Sequence, residues 1–288
     1  MIELIVFLEF FKNVIYNKAN LFNLHEGSIN NNVNKIFKKE DFREIKNLKI
    51  DPSKITAKNV LIKEIEGPIL YGKNYNEQKP IASLTKLVTA LVALNIYNPE
   101  EEFEIRDLKI KEAQTSFTKG EKFLLKDLLK AMLISSSNAS ANIIASKVGE
   151  EKFINYMNNL AKNLNLLNTK FEDNTGLSSR NISSLLDLYY ISKYILKEKP
   201  EIFEYSRNAS FLLKGNFIRN LYNTNKLVEK YSKFILGSKT GFTDEAGECL
   251  LMILKFENSP LIFVGILDSK NRELDGEYII KTLMEYYK

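Results

Sequence analysis

Pro80-Ile81-Ala82-Ser83-Leu84-Thr85-Lys86-Leu87-Val88-Thr89-Ala90-Leu91-Val92-Ala93-Leu94 is the stretch around which the rest of the chain is arranged. Proline fixes φ at its start, and the apolar run behind it has helical spacing, which predicts a buried helix from near Ser83. Two polar side chains interrupt that apolar surface. Ser83 and Lys86 are three positions apart, so on a helix their Cβ atoms lie roughly 5–6 Å apart on one face. A serine hydroxyl needs a base to take its proton, and the sequence has a single histidine, His25, in a polar segment. That disfavours a Ser-His-Asp triad. A lysine set in an apolar helix can serve instead, because desolvation lowers its pKa and leaves part of it as neutral amine. S-x-x-K pairs are common on helices for reasons of packing alone, so the chemistry depends on what else the chain supplies.

The 288 residues, 44% hydrophobic and 27% charged, have the composition of one large globular domain or two small ones. The formal charge of +5 comes from lysines scattered through the chain, which reads as a solvated surface and gives no reason to expect a nucleic-acid partner. A lone cysteine, Cys249, excludes an intramolecular disulfide and a cysteine-based metal cluster. Its apolar surroundings point to a buried strand thiol. Neither a metal nor another cofactor is expected.

Met1–Tyr16 has two readings. Leu4, Phe7, Leu8, Phe11 and Ile15 fall on one side of a helix, and the same apolar character suits a secretion segment or membrane anchor, although Glu3 and Glu9 are atypical of one. The Asn- and Lys-rich stretch 17–47 reads as a tether. Organisation begins at Ile55. Val60–Ile65 and Ile69–Tyr71 flank Gly67-Pro68 as a hairpin, and strands return at Phe234–Leu236, Cys249–Phe256 and Leu261–Leu267. Between them lie a turn over Phe117–Glu121 and helical patterns over Leu124–Leu133, Ile143–Val148, Phe153–Leu164 and Ser184–Leu196; a last helix covers Glu273–Tyr287. The expected architecture is an α/β (α+β) fold in which an antiparallel sheet is built from both ends of the chain, flanked by helices, with an inserted helical lobe. An N-terminal segment over 1–50 precedes a catalytic domain over 55–288, its sheet from 55–80 and 232–288 and its helical lobe from about 95–230.

Three polar clusters follow in the order Ser83-x-x-Lys86, Ser136-Ser137-Asn138 and Lys239-Thr240-Gly241. Acyl transfer needs a nucleophile, a base, a donor for the leaving amine and a stabilised oxyanion. Ser83 and Lys86 supply the first two. Ser136 can relay a proton to the leaving nitrogen, and Asn138 can bond a substrate amide through both its donor and its acceptor. Lys239 and Thr240 offer a cation and a hydroxyl to a carboxylate, and Gly241 lets a substrate backbone lie along the strand edge. Taken singly, Ser136 and Asn138 read as caps of a helix beginning near Ala139, and Lys-Thr-Gly as a strand leaving for solvent. The ordered set S-x-x-K, S-x-N and K-T-G belongs to penicillin-binding proteins and class A β-lactamases.

From roughly Val60 to Leu283 the chain resembles the serine-type D-Ala-D-Ala carboxypeptidases, the low-molecular-mass penicillin-binding proteins. The resemblance rests on Ile81–Lys86 with Thr89-Ala90-Leu91, Leu128-Leu129 before Ser136-Ser137-Asn138, and Met157-Asn158 with Asn168–Phe171. It continues through Thr175-Gly176-Leu177, Asn223-Thr224-Asn225 and the run Lys239–Leu250. It implies a β-lactamase/DD-peptidase-like fold and release of the terminal D-Ala from peptidoglycan stem peptides through an acyl-enzyme on Ser83. It also implies acylation by β-lactams as covalent inhibitors, oxyanion donors in the backbone N–H groups of Ser83 and Phe242, and Arg272 as a ligand of the substrate's terminal carboxylate. An extracytoplasmic site of action follows from that substrate, with membrane association through the N-terminal segment. Ala139 stands where the family commonly has Asp, and the second β-rich domain and C-terminal anchor of many members are not expected after the closing helix. Two rival readings share the motifs. One is a class A-like β-lactamase with Glu172 activating the deacylating water, although Glu172-Asp173-Asn174-Thr175-Gly176-Leu177 fits the carboxypeptidase pattern better. The other is a non-catalytic binder of cell-wall peptide.

Overall fold

The computed structural model describes residues 48–106 and 117–288. Met1–Tyr16, the tether read over 17–47 and His25 lie outside the described residues. Strands β1 (Asn59–Glu64) and β2 (Ile69–Lys73) form the hairpin expected around Gly67-Pro68. Strand β3 (Lys79–Pro80) leads into a 3₁₀ turn, Ala82–Thr85, from which helix α1 (Lys86–Ile96) continues. The α-helix therefore starts at Lys86 and not near Ser83. Ala82 has φ +46°, so the chain reverses just before Ser83, and the Leu84 N–H closes onto the Ile81 carbonyl in a tight three-residue turn. Helix α1 stops where Tyr97 becomes extended ahead of Asn98-Pro99, since a residue close before proline is pushed out of the helical region.

Strands β4 (Glu102–Glu104) and β5 (Lys122–Leu124) pair ahead of α2 (Leu125–Ile134), α3 (Asn138–Ser146) and α4 (Glu150–Asn163). Strand β6 (Ile182–Ser183) pairs with β3, and α5 (Leu185–Glu198) and α6 (Glu201–Ser206) follow. Then come a hairpin of β7 (Ser210–Lys214) and β8 (Ile218–Tyr222), a single turn α7 (Leu227–Lys230), strands β9 (Ile235–Thr243), β10 (Gly247–Leu254) and β11 (Ile262–Ser269), and helix α8 (Arg272–Tyr286). No helix among the described residues is long and apolar enough to cross a membrane.

The main sheet runs β2-β1-β11-β10-β9, antiparallel throughout, so the two extremes of the chain do build it. Its strands alternate with period two. Val60, Ile62, Met252, Val264 and Ile266 meet Ile279, Ile280 and Leu283 of α8 on one face, while Leu61, Leu251, Ile253 and Phe263 join α1, α2 and α5 on the other. Every residue of α1 from Lys86 to Asn95 is buried, and each fully buried leucine in it contributes about 1.5–3 kcal/mol. The turn that carries Ser83 is thus anchored to a helix buried along nearly its whole length.

The middle of the chain is less uniformly helical than its periodicity suggests, because of the β7–β8 hairpin. A buried ion pair fixes that hairpin: Arg219 Nη2 lies 2.6 Å from Glu121 Oε2, and the guanidinium sits 3.7 Å over the Phe217 ring. Glu121 also accepts the N–H groups of Thr118 and Asn216. Burial alone pushes the Glu121 carboxyl up, but these donors and Arg219 hold it below its usual range. The hairpin delivers Thr224, whose N–H donates to the Ile134 carbonyl at the end of α2.

Candidate active site

The tight turn at Ala82–Thr85 points Ser83 outward while Lys86, the first residue of α1, is wholly buried. Lys86 Nζ lies 2.8 Å from Ser83 Oγ, 2.7 Å from Asn138 Oδ1 and 2.6 Å from the Thr175 carbonyl oxygen. Ser83 Oγ is itself 3.4 Å from the same carbonyl. Asn138 reaches Lys86 from the first turn of α3. The cap of that helix is Ser137, whose Oγ accepts the Ser140 N–H at 3.0 Å. The capping duty read for Ser136 and Asn138 thus falls on the residue between them, while Asn138 meets Lys86 and Ser136 meets Lys239. Ser136 achieves this with φ +61°, a left-handed conformation uncommon for a residue with a side chain.

A second serine–lysine contact lies across the cleft: Lys239 Nζ donates to Ser136 Oγ at 2.9 Å and to the Thr240 carbonyl at 2.7 Å. Burial first, and then the charges of Lys86 and Arg272, hold the Lys239 ammonium well below the ordinary lysine range. Thr240 Oγ1 meets Thr224 Oγ1 at 2.5 Å, so the strand end is tied to the segment after the β7–β8 hairpin. Among the described residues strand β9 has a partner strand on one side only, leaving an edge against which an extended peptide can lie. Gly241 has a second constraint besides that edge. A Cβ there would stand 2.9 Å from Ser83 N and 3.0 Å from Ala82 Cβ, so β9 and the Ala82–Thr85 turn are in direct contact. This contact brings the strand carrying Phe242 alongside the Ser83 amide. The Phe242 side chain is exposed.

Arg272 opens α8. Its N–H donates to Glu248 Oε2 at 2.8 Å, and its guanidinium Nη1 donates to the Gly241 carbonyl at 3.0 Å. Its Nε is buried with no hydrogen-bond partner among the described residues. The resemblance implies a substrate carboxylate as its ligand; in the structure its bond to Gly241 holds the end of β9. Cys249, on the neighbouring strand, is buried, and burial pushes its thiol up to about 12.

The loop ahead of β6 contributes groups that the motifs do not reveal. Asp173 Oδ1 accepts the N–H of Thr175 (2.6 Å) and of Gly176 (2.6 Å) and the Thr175 hydroxyl (2.8 Å), and its Oδ2 accepts the Ser178 N–H (2.6 Å). Burial works to raise its carboxyl pKa, yet these donors keep it below its usual range. Gly176 has φ +88°, and a Cβ there would stand 1.9 Å from the Ala82 carbonyl oxygen. Asp followed at the third position by glycine is a turn signature that marks this loop in the sequence. What the Thr175 carbonyl touches has no such signature. Glu172 is engaged by Arg180 at 2.6 Å and Lys170 at 3.7 Å. Its carboxylate is thus occupied by an ion pair, which gives no support to the β-lactamase assignment. Among the described residues no group of three or more His, Cys, Asp or Glu side chains could hold a metal ion.

A serine and a lysine joined across one turn, faced by a second serine–lysine contact on a sheet edge, make the constellation shared by penicillin-binding proteins and class A β-lactamases. Comparison with known proteins narrows it: a family model described as D-alanyl-D-alanine carboxypeptidase matches residues 46–271, and the chain belongs to that family of serine peptidases. A D-alanyl-D-alanine endopeptidase of Pseudomonas aeruginosa is 32% identical over 70% of this chain and 68% of its own length. One from Haemophilus influenzae is 38% identical over 62% and 63% of the two chains. The D-alanyl-D-alanine carboxypeptidase DacF of Bacillus subtilis is 31% identical over 76% and 59%. The chain therefore spans between 59% and 68% of the length of these curated relatives. Among solved structures, a penicillin-binding protein from Listeria monocytogenes in its cefotaxime-bound form superposes with TM-score 0.70 at 26% identity, covering 81% of this chain and 98% of that one.

Proposed function

We propose that this chain is a serine DD-carboxypeptidase that removes the terminal D-Ala from peptidoglycan stem peptides and is acylated by penicillins at Ser83. The observation that carries this reading is the 2.8 Å contact between Ser83 Oγ and a buried Lys86 Nζ. In the neutral state Lys86 takes the Ser83 proton as Oγ bonds to the substrate carbonyl carbon. The negative charge that develops on the carbonyl oxygen is held by the N–H groups of Ser83 and Phe242. Collapse of the tetrahedral intermediate breaks the C–N bond, and the leaving D-Ala amine takes a proton from Ser136, which recovers it from the proton Lys86 gained from Ser83, so Lys86 is neutral again and Lys239 stays a cation. Water then attacks the ester carbonyl, giving its proton to Lys86, which passes it to Ser83 Oγ as the acyl C–O bond breaks. Asn138 aligns the substrate amide, while Lys239, Thr240, Gly241 and Arg272 receive the carboxylate end. A substrate of this kind lies outside the cytoplasmic membrane, so the working location is extracytoplasmic, with the N-terminal segment as signal or anchor. Similarity to a cefotaxime-bound relative supports β-lactam acylation here.

Incubation of the protein with a fluorescent penicillin is expected to give one covalent adduct, on the peptide that contains Ser83, by mass spectrometry. An adduct on another residue, or none, rejects the acyl-enzyme reading in favour of a non-catalytic peptide binder.

Arg272 is where carboxypeptidase separates from endopeptidase, the activity named for the relatives of Pseudomonas and Haemophilus. A charge-assisted hydrogen bond is worth about 1.5–3 kcal/mol, so Arg272→Ala is expected to lower kcat/KM for a peptide ending in D-Ala-D-Ala by roughly 10–100-fold. Amidating that terminus is expected to slow the native protein comparably and to add little to the variant. Turnover of a cross-linked peptide dimer that is insensitive to both changes favours the endopeptidase reading. Rapid penicillin hydrolysis with unchanged peptide turnover favours the β-lactamase.

A further inference from the structure

We propose that Asp173, which touches no reacting atom, is the positioning residue of the base: by gathering the N–H groups of Thr175, Gly176 and Ser178 onto its carboxylate, it aims the Thr175 carbonyl at Lys86. The proposal rests on the assignment of Ser83 and Lys86 as nucleophile and base.

A neutral lysine amine has two N–H bonds and one lone pair. Asn138 Oδ1 at 2.7 Å and the Thr175 carbonyl at 2.6 Å have no hydrogen to give, so each can only accept an N–H. With both N–H bonds committed, the lone pair is left for Ser83 Oγ at 2.8 Å. The orientation that makes Lys86 a base is thus set by two acceptors, of which one is a side chain on α3 and the other a backbone oxygen. A backbone oxygen can be aimed only by the peptide units that carry it. Those units are turned by Asp173, since the N–H groups on either side of the Thr175 carbonyl, its own and that of Gly176, both point to Oδ1 at 2.6 Å.

The rest of the loop is clamped to the nucleophile turn. Asn181 Oδ1 accepts the N–H groups of Glu172 and Asp173, its Nδ2 donates to the Asp173 carbonyl and to Thr85 Oγ1, and its own carbonyl accepts the Ile81 N–H. Gly176 lies against the Ala82 carbonyl. The loop therefore cannot drift from Ser83 as a unit, and what remains to be fixed is the tilt of the 175–176 peptide. Both carboxylate oxygens of Asp173 accept N–H groups, so an asparagine, with one oxygen replaced by NH₂, leaves at least one of those N–H groups without an acceptor in either flip state.

The test is the rate constant of Ser83 acylation by a fluorescent penicillin, measured on the full chain for native protein, Asp173→Asn, Lys86→Ala and the double variant. Melting temperature and labelled fraction at completion are recorded for each. A base displaced by about an ångström loses up to ~10²-fold, so Asp173→Asn is expected to be roughly 10–100-fold slower, with the same labelled fraction at completion. If Asp173 acts through Lys86, the loss shrinks to under about twofold when Lys86 is already alanine. An equal loss in both backgrounds, or a lower labelled fraction at native rate, assigns Asp173 a purely structural role and overturns the proposal. Should Asp173→Asn fail to fold, Thr175→Val removes the hydroxyl that donates to Asp173 and accepts the Leu177 N–H, loosening the same turn while leaving the carboxylate in place. A slowing of roughly 3–10-fold that vanishes without Lys86 supports the proposal, and an unchanged rate overturns it. Label retained by Ser83→Ala removes the parent assignment and the proposal with it. Ser83-dependent label at native rate in Asp173→Asn overturns the proposal alone.

Discussion

Lys86→Ala is expected to slow acylation of Ser83 by about 10²–10⁴-fold, the range for loss of a general base, while the protein still folds. The side chain is fully buried, so alanine leaves a polar cavity bounded by Asn138 Oδ1 and the Thr175 carbonyl, which water can fill. Lys86→Arg is expected to be no better than alanine, because a guanidinium remains protonated and has no lone pair to offer. Stopped-flow labelling of the two variants beside the native protein makes the comparison. A loss below tenfold for Lys86→Ala moves the role of base to another amine, and Lys239, with its depressed proton affinity and its contact to Ser136, is the group to replace next.

The second large effect is expected at Gly176, where two penalties coincide. An alanine there must hold φ +88°, at a cost of about 1–3 kcal/mol. Its Cβ must also avoid the Ala82 carbonyl oxygen, 1.9 Å from the ideal position. No rotamer relieves a clash between a Cβ and a backbone oxygen, so the 173–178 loop and the Ala82–Thr85 turn have to separate. That movement shifts the Ser83 amide, an oxyanion donor in the proposed mechanism, and losing one such donor costs roughly 10²–10³-fold. Gly176→Ala is therefore expected to lower stability in a denaturant titration by at least about 2 kcal/mol and to reduce the acylation rate by at least about 10²-fold. Native acylation in a folded Gly176→Ala protein means that the turn holding Ser83 moves independently of this loop.

How much of the site can be read from sequence depends on which atoms do the work. Ser83 and Lys86 are legible because a three-residue offset puts side chains on one face of any helical turn, whether 3₁₀ or α. The Lys239-Thr240-Gly241 run is legible as the third of the ordered motifs, while the expected strand over Phe234–Leu236 falls short of β9, which carries the run inside it and reaches Thr243 with Lys239 and Thr240 buried. The Thr175 carbonyl is not, since a backbone oxygen has no sequence signature; only the Asp173–Gly176 turn hints at it. The β7–β8 hairpin escapes for a different reason. Its outward face mixes Leu212, Ile218 and Tyr222 with Ser210, Lys214 and Asn220, and its inward face holds the charged Arg219, so the apolar–polar alternation that announces a surface strand is blurred. The boundary of α1 is misread because Ala82 adopts a left-handed backbone that alanine rarely takes, imposed by its packing between Gly176 and Gly241. Arg272 is found by resemblance, but its bond to the Gly241 carbonyl is visible only in three dimensions.

The sheet order has a consequence for the way the polypeptide reaches its native state. Val60 pairs with Ile266, so the first hairpin waits for its central neighbour until nearly the whole domain has been made. Pairings this distant in sequence must close a long loop before they gain anything, which slows folding. Helices α1 to α6, whose contacts are more local, can gather earlier, but β9, the edge proposed to receive the substrate, joins the sheet through β10 and β11. On a nascent chain the serine and its lysine can therefore be close together long before there is a cleft, and competence to acylate should appear late and in a single step. Until then β1 offers an unpaired apolar edge, the kind of surface that invites pairing between chains.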